Sequence, residues 1–178
     1  EGNRQICLPF GIRGRRQYEE VLLTVERTDR ELLEKTEVAE KYQPTLQLSP
    51  GQTGTVECEV GTVEYCVCDL AAAHEKNQEV PTNQYTKWFD YDKIKNSPCV
   101  RTRRQGDYLT VNSEGGRKKL NRIFIDEKIP AEMRDRLPVV AVGSEILWIP
   151  GGRMNEKYKI TSTTGRVLEL HYQGGALA

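Results

Sequence analysis

The chain has 178 residues, of which 37% are hydrophobic and 29% are charged, and its 26 Lys/Arg balance its 26 Asp/Glu. This length fits one domain or two small ones, and the chain contains no run of about 18 apolar residues that would predict a membrane-spanning helix. It does not open with a secretory signal peptide, so we expect a soluble, cytoplasmic protein with no membrane partner.

The overall neutrality hides a division of charge along the chain. Residues 1–100 hold 12 Lys/Arg and 17 Asp/Glu, a net charge of −5. Residues 101–178 hold 14 Lys/Arg and 9 Asp/Glu, a net charge of +5. A polyanion that approaches the second part would meet a positive field that the average conceals.

The first predicted region, residues 1–85, is rich in strands. Residues 6–9 and 18–25 have the composition of strands, and they flank a predicted turn with the sequence GIRGRR at 11–16. Residues 29–41 are highly charged and predict a weak helix or an ordered loop.

A β-hairpin is the clearest local pattern of this region. Residues 55–60 alternate apolar and acidic side chains, which is typical of a half-buried strand. Gly61 and Thr62 fit a two-residue turn. The return strand, residues 63–70, places three side chains on one face: Val63, Tyr65 and Val67.

The second predicted region is a basic α+β domain over residues 86–178. A strand from residue 100 carries several arginines and is followed by a glycine turn and a second strand. Leu120, Ile123 and Phe124 have the i, i+3, i+4 spacing of one helical face, with Lys118 and Lys119 on the same helix.

A second helix and four further strands complete the predicted domain. Pro130 suits the first position of a helix over residues 131–137. The strands are predicted at 139–142, 145–149, 158–161 and 166–172, the last two as a hairpin-like pair. The predicted class is α+β, with strand-dominated, sandwich-like sheets and about two short helices.

The chain carries none of the common catalytic motifs. GxxxxGK[ST], a nucleophile elbow and HExxH are all absent, so we predict no catalytic residue. Cys66, Cys68, His74 and Cys58 form the one zinc set that the spacing allows, against the alternative of reduced thiols within strands. A divalent-metal pair of aspartates at 90 and 92 competes with a capping or solvated role. We therefore predict no metal site.

The feature of the sequence that does indicate a function is a cluster of Lys and Arg side chains within residues 101–136. Six acidic residues lie within the same stretch, so a solvated charged face is the alternative interpretation. Residues 115–122 hold four cations and no acid, near a predicted helix N-terminus whose amides could face a phosphate. We predict an RNA-binding surface made of Arg101, Arg103, Arg104, Arg117, Lys118, Lys119, Arg122, Lys128 and Arg134, with Arg136 adjoining.

The stretch GGRKKLNRIFIDEKIPAEMRDRLPVVAVGSEILWIPGGRMNEKYKIT resembles the C-terminal domain of bacterial tRNA(Ile)-lysidine synthetase. The resemblance extends over residues 86–172 through TKWFDYDKI and RTRRQGDYL, and more loosely to LPFGIRGRRQYEEVLL. It implies a cytoplasmic ligase that uses ATP to attach lysine to the wobble cytidine of tRNA(Ile). It also implies that this part of the enzyme binds the tRNA, with the last domain on the acceptor stem.

The SGGxDS phosphate loop of that family is absent from this chain. The resemblance therefore assigns ATP, with Mg, to an N-terminal catalytic domain outside the sequence, and it implies no cofactor for this chain. The expected partners are tRNA(Ile) and that catalytic domain, and a homodimer stays open. The alternative function is a stand-alone protein-interaction or regulatory β-domain with an incidental basic face.

Overall fold

The computed structural model describes residues 5–8, 12–17, 20–25, 44–58, 61–75, 80–81 and 83–174. The chain divides into two compact units, Glu1–Tyr42 and Gln43–Ala178. The sequence placed a division between residues 85 and 86 instead. One sheet of the second unit contains strands from both sides of that point, so the two divisions are different partitions of the chain.

The first unit contains an antiparallel sheet of three strands, β1 (Gln5–Leu8), β2 (Ile12–Gln17) and β3 (Glu20–Val25). The predicted turn GIRGRR is wrong, because most of it is the central strand β2. This strand pairs with β1 on one side and β3 on the other, and these two ladders of hydrogen bonds outweigh the local turn signal of the glycines in GIRGRR. The helix or loop predicted at 29–41 lies outside the described residues.

The described residues of the second unit form two sheets, two short α-helices and two 3-10 helices, Tyr91–Lys93 and Glu156–Tyr158. The four-stranded sheet has the order β4 (Thr53–Cys58), β5 (Gly61–Asp69), β12 (Arg166–Gly174), β6 (Thr86–Asp90). The five-stranded sheet has the order β7 (Cys99–Arg101), β10 (Val139–Val142), β11 (Glu145–Trp148), β8 (Tyr108–Thr110), β9 (Arg117–Lys119). The α-helices are α1 (Leu70–Glu75) and α2 (Leu120–Asp126). The predicted strand-dominated class is confirmed.

The main hydrophobic core lies between these two sheets. Val63 and Leu168 of the four-stranded sheet share one buried cluster with Val140 and Leu147 of the five-stranded sheet, together with the fully buried Trp148. This arrangement is the predicted sandwich. Burial of apolar side chains from both inner faces is the main force that holds the sheets together.

Helix α2 covers the other face of the five-stranded sheet. Leu120, Ile123 and Phe124, the predicted apolar face, are buried in a second cluster with Leu109 and Ile146. On the outer face of the four-stranded sheet, α1 contributes Ala73 to a smaller cluster. Among the described residues no helix has the length and apolar character needed to span a membrane.

The hairpin of β4 and β5 has the predicted phase but a different turn. Val63, Tyr65 and Val67 are buried, as expected for one face of the strand. Cys58 pairs directly with Gly61, so Gly61 and Thr62 belong to β5 rather than to the turn.

Three other local predictions are wrong. Lys118 and Lys119 lie on β9, because α2 begins at Leu120. Residues 131–136 form successive turns rather than a helix, since this short segment must deliver Leu137 and β10 into the core. Residues 158–161 form no strand, because β12 pairs with β5 and β6 and takes no partner from the preceding segment.

Candidate nucleic-acid interface

Strand β9 is an outer strand of the five-stranded sheet and consists of three cations. It pairs antiparallel with β8, with Lys119 opposite Tyr108 and Arg117 opposite Thr110. Because side chains alternate along a strand, Arg117 and Lys119 share a face with Tyr108, whereas Lys118 points to the face covered by α2. The strand therefore presents positive charge on both sides of the sheet edge.

On the α2 side, one carboxylate binds two cations. Asp126 lies 2.5 Å from the Lys118 Nζ and 3.2 Å from the Arg122 Nε. The hydrogen bond from Lys118 is the main cause of a lowered pKa of the Asp126 carboxyl, and the charge of Arg122 adds to it. Asp126 thus stays ionised and holds both cations at the surface with a net charge of +1.

On the other face of β9, the Arg117 guanidinium lies over the ring of Tyr108, 4.7 Å from its centroid. This cation–π contact orients the arginine without neutralising it. Lys119 is exposed and has no carboxylate partner within the described part of the chain. Both charges are available to an anionic ligand.

The turn before β8 brings two more predicted cations to the N-terminal end of α2. Arg103 binds Asp135 through Nε at 2.7 Å and Asn121 of α2 through Nη1, also at 2.7 Å. Arg104 is exposed. The Leu120 amide, at the start of α2, donates to the carbonyl of Asp107, so this helix end does not offer that amide to a phosphate.

Arg101 is placed differently from the other predicted cations. Its guanidinium binds both carboxylate oxygens of Asp107, at 2.7 and 2.8 Å, and also donates to the carbonyls of Thr102 and Gly143. Only 3% of its side chain is exposed. The structure therefore does not bring Arg101 to the basic surface.

The predicted cations after α2 lie on the turns that follow it. Arg134 donates from Nε to the carbonyl of Ile129 at 2.9 Å, so it braces the backbone before Pro130. The nearby carboxylates of Asp126 and Glu127 bind Lys118, Arg122 and Arg153. Lys128 and Arg136 are exposed, and Lys128 adopts a left-handed backbone with φ of 57°.

Sequence reasoning missed a group of lysines beside β8. Lys93, Lys95 and Lys157 line a cleft of about 290 Å³ together with Tyr108 and Glu145. Their separation along the chain hides the group from any local count of charge. The signal present in the sequence was the short run KIK at 93–95, which overlaps the end of the motif TKWFDYDKI.

The structure does not support the two alternative metal sites, the Cys/His zinc set and the pair of aspartates at 90 and 92. Cys58 lies opposite Gly61, on the face of Val63, whereas Cys66 and Cys68 point to the opposite face of β5. The Asp90 carboxylate accepts a hydrogen bond from Thr164 and lies 3.1 Å from the Lys93 Nζ. No cluster of three or more His, Cys, Asp or Glu suited to a metal ion occurs within the residues that the structure describes.

Comparisons with known proteins agree with this fold. Residues 99–170 match the family model of the TilS substrate C-terminal domain. The tRNA(Ile)-lysidine synthase of Caldanaerobacter subterraneus subsp. tengcongensis is 37% identical over 168 residues, which cover 94% of this chain and 33% of that protein. The synthase of Clostridium tetani is 41% identical over 90 residues, 51% of this chain and 19% of that protein.

A solved structure described as the crystal structure of the TilS C-terminal domain superposes with a TM-score of 0.56 at 27% identity. The match covers 75% of this chain and 98% of that one. The chain spans about a third of the length of the first relative, 33%. Residues 99–170 therefore belong to the TilS substrate C-terminal domain family, and the chain is similar to the C-terminal region of tRNA(Ile)-lysidine synthase.

Proposed function

We propose that the Gln43–Ala178 unit binds the acceptor stem of tRNA(Ile) through the basic edge formed by β9 and α2. The observation that supports this most directly is the set of cations on both faces of β9, with Asp126 holding Lys118 and Arg122 at the surface. Phosphates lie along both strands of an A-form stem, and its shallow minor groove is recognised mainly by shape and by contacts to phosphates and 2′-hydroxyls. A rigid strand edge with outward cations suits such a ligand.

The proposed activity of the whole protein follows from its relatives. The chain is a part of a tRNA(Ile)-lysidine synthase that ligates lysine to the wobble cytidine with ATP in the cytoplasm. ATP and Mg bind in an N-terminal catalytic domain, and the unit described here supplies affinity for the tRNA rather than chemistry. The absence of an SGGxDS loop from the sequence supports the assignment of catalysis and tRNA binding to different domains.

The test replaces Lys118, Lys119 and Arg122 by alanine in the full 178-residue chain. Binding to a tRNA(Ile) transcript is measured at several salt concentrations. We expect at least roughly tenfold weaker binding at low salt, because each phosphate contact that is lost reduces the number of counterions released when the RNA binds. The slope of log K against log salt should become shallower by about 0.7–0.9 per contact.

The matched control removes three cations elsewhere, with Lys87, Lys159 and Arg166 replaced by alanine. These side chains belong to the four-stranded sheet and to the segment before β12. A general charge effect would weaken both triple variants equally, whereas a surface at β9 and α2 weakens only the first. If the first variant is folded by circular dichroism and binds tRNA like the wild type, the proposal is wrong. A protein-interaction or regulatory role then becomes the better hypothesis.

A further inference from the structure

We infer that the RNA-binding surface continues around β9 into the cleft beside Tyr108, where it holds the phosphodiester backbone of an RNA strand. This inference rests on the proposed function and extends it to residues outside the basic cluster of the sequence. The cleft is lined by three lysines, Lys93, Lys95 and Lys157, and by the polar side chains of Asn96 and Ser144.

The position of Tyr108 joins the cleft to β9. Tyr108 forms part of the cleft wall, lies opposite Lys119 in the sheet and is covered by the guanidinium of Arg117. Arg117 and Lys119 therefore stand at the border of the cleft. On the reverse side of the same strand, Lys118 and Arg122 begin the α2 surface, so the cations follow a path around the sheet edge.

The cleft lysines differ in how far their charge is offset. The Lys157 Nζ lies 2.8 Å from Glu145, and the Lys93 Nζ lies 3.1 Å from the buried carboxylate of Asp90. The Lys95 Nζ donates to the carbonyl of Asp92 at 2.8 Å, and a carbonyl carries no net charge. Lys95 therefore adds an exposed positive charge to those of Arg117 and Lys119.

The carboxylate of Glu145 stays ionised at neutral pH, and its negative charge limits which ligands the cleft can bind. Burial alone would raise the pKa of this carboxyl, but hydrogen bonds from Lys157, Tyr158 and Asn155 outweigh burial and lower the pKa. Lys157 is thus committed to Glu145, and the remaining charge does not converge on one point. An extended polyanion fits uncompensated charges spread along a path better than a single small anion does.

The test compares two single substitutions, Lys95→Ala in the cleft and Lys87→Ala on the four-stranded sheet. Lys95 is exposed and forms no ion pair with a carboxylate of the described residues, so its removal should leave the fold intact. With the full chain and the tRNA(Ile) transcript at low salt, we expect Lys95→Ala to bind roughly threefold or more weakly. Its salt slope should fall by about 0.7–0.9, with no change for Lys87→Ala.

The outcomes separate this inference from the proposed function. If Lys95→Ala binds like the wild type while the triple variant of β9 and α2 is impaired, the cleft is not part of the surface and the inference is wrong. If neither is impaired, the proposed function itself fails. Equal weakening by Lys95→Ala and Lys87→Ala also overturns the inference, because a contact in the cleft requires the effect to be local. Combining Lys95→Ala with the triple variant should lower the slope further by the same increment.

Discussion

Asp107 and Asp126 both bind basic side chains of one short basic stretch, yet they hold them in different environments. The Asp107 carboxylate is 1% exposed and forms a double hydrogen bond with Arg101, whose side chain is 3% exposed. Asp126 is 32% exposed, with Lys118 at 39% and Arg122 at 66%. The first aspartate fixes a turn inside the fold, and the second holds two cations where a ligand can reach them.

The comparison shows that burial, rather than residue type, decides whether a cation serves the fold or a surface. A buried charge that loses its partner has no water to replace it, so removing one member of such a pair is strongly destabilising. An exposed pair gains little because water and salt screen it. The predictions below test this contrast, from the largest effect to the smallest.

Replacement of Asp107 by alanine should lower the free energy of unfolding by about 3–5 kcal/mol. The reason is that Arg101 would keep its buried charge, and the amide of Arg104 would lose its acceptor on the same carboxylate. Chemical denaturation measures the effect. Glu114→Ala, an exposed acid in the next turn, serves as the control and should change stability by less than about 0.5 kcal/mol. Similar small losses at both positions would contradict the structural role of Asp107.

Replacement of Arg134 by alanine should lower stability by about 1 kcal/mol, because its Nε donates to the carbonyl of Ile129. Arg136→Ala is the matched control, since the Arg136 side chain is exposed and forms no hydrogen bond with the described residues. Thermal melting of the two variants distinguishes bracing from an exclusive role in RNA binding. Equal melting temperatures would assign Arg134 to the RNA rather than to the fold.

Asp126→Asn should lower the melting temperature slightly at neutral pH, and the difference from wild type should vanish in acid. The hydrogen bond from Lys118 lowers the pKa of Asp126 in the folded state below its ordinary value of 3.8. A carboxyl with a depressed folded-state pKa contributes stability above its unfolded pKa and loses it as the pH falls through the folded value. Melting curves from pH 7 downward measure the difference. A gap that persists or widens in acid would mean that the ion pairs with Lys118 and Arg122 do not stabilise the fold.

Local periodicity predicted those parts of the fold that depend on neighbours in the sequence. The alternation around Val63 and the spacing of Leu120, Ile123 and Phe124 identify buried faces because strands and helices repeat every two and 3.6 residues. The turn GIRGRR and the segment 158–161 were wrong for the opposite reason. Whether a stretch becomes a strand depends on partners far along the chain, as β12 shows by pairing with β5 and β6.

The sequence predicted that the candidate site is basic, but it did not predict correctly which residues belong to the site. The run of cations in β9 is visible in the sequence, but the burial of Arg101 depends on Asp107 and on the carbonyl of Gly143, 42 residues away. The lysines of the cleft come from two segments, around residues 93–95 and around residue 157, that only the folded sheet brings beside Tyr108. A count of charge in a sequence window contains no information about either arrangement.

The position of β9 at the end of its sheet has a consequence for the solubility of the chain. An outer strand leaves one row of backbone amides and carbonyls unpaired, and such a row can pair with a strand of another molecule. Arg117, Lys118 and Lys119 oppose this, because two copies of the strand would bring like charges together. The charges that suit a nucleic acid thus also keep molecules apart, and a fully neutral β9 should make the protein self-associate as its concentration rises.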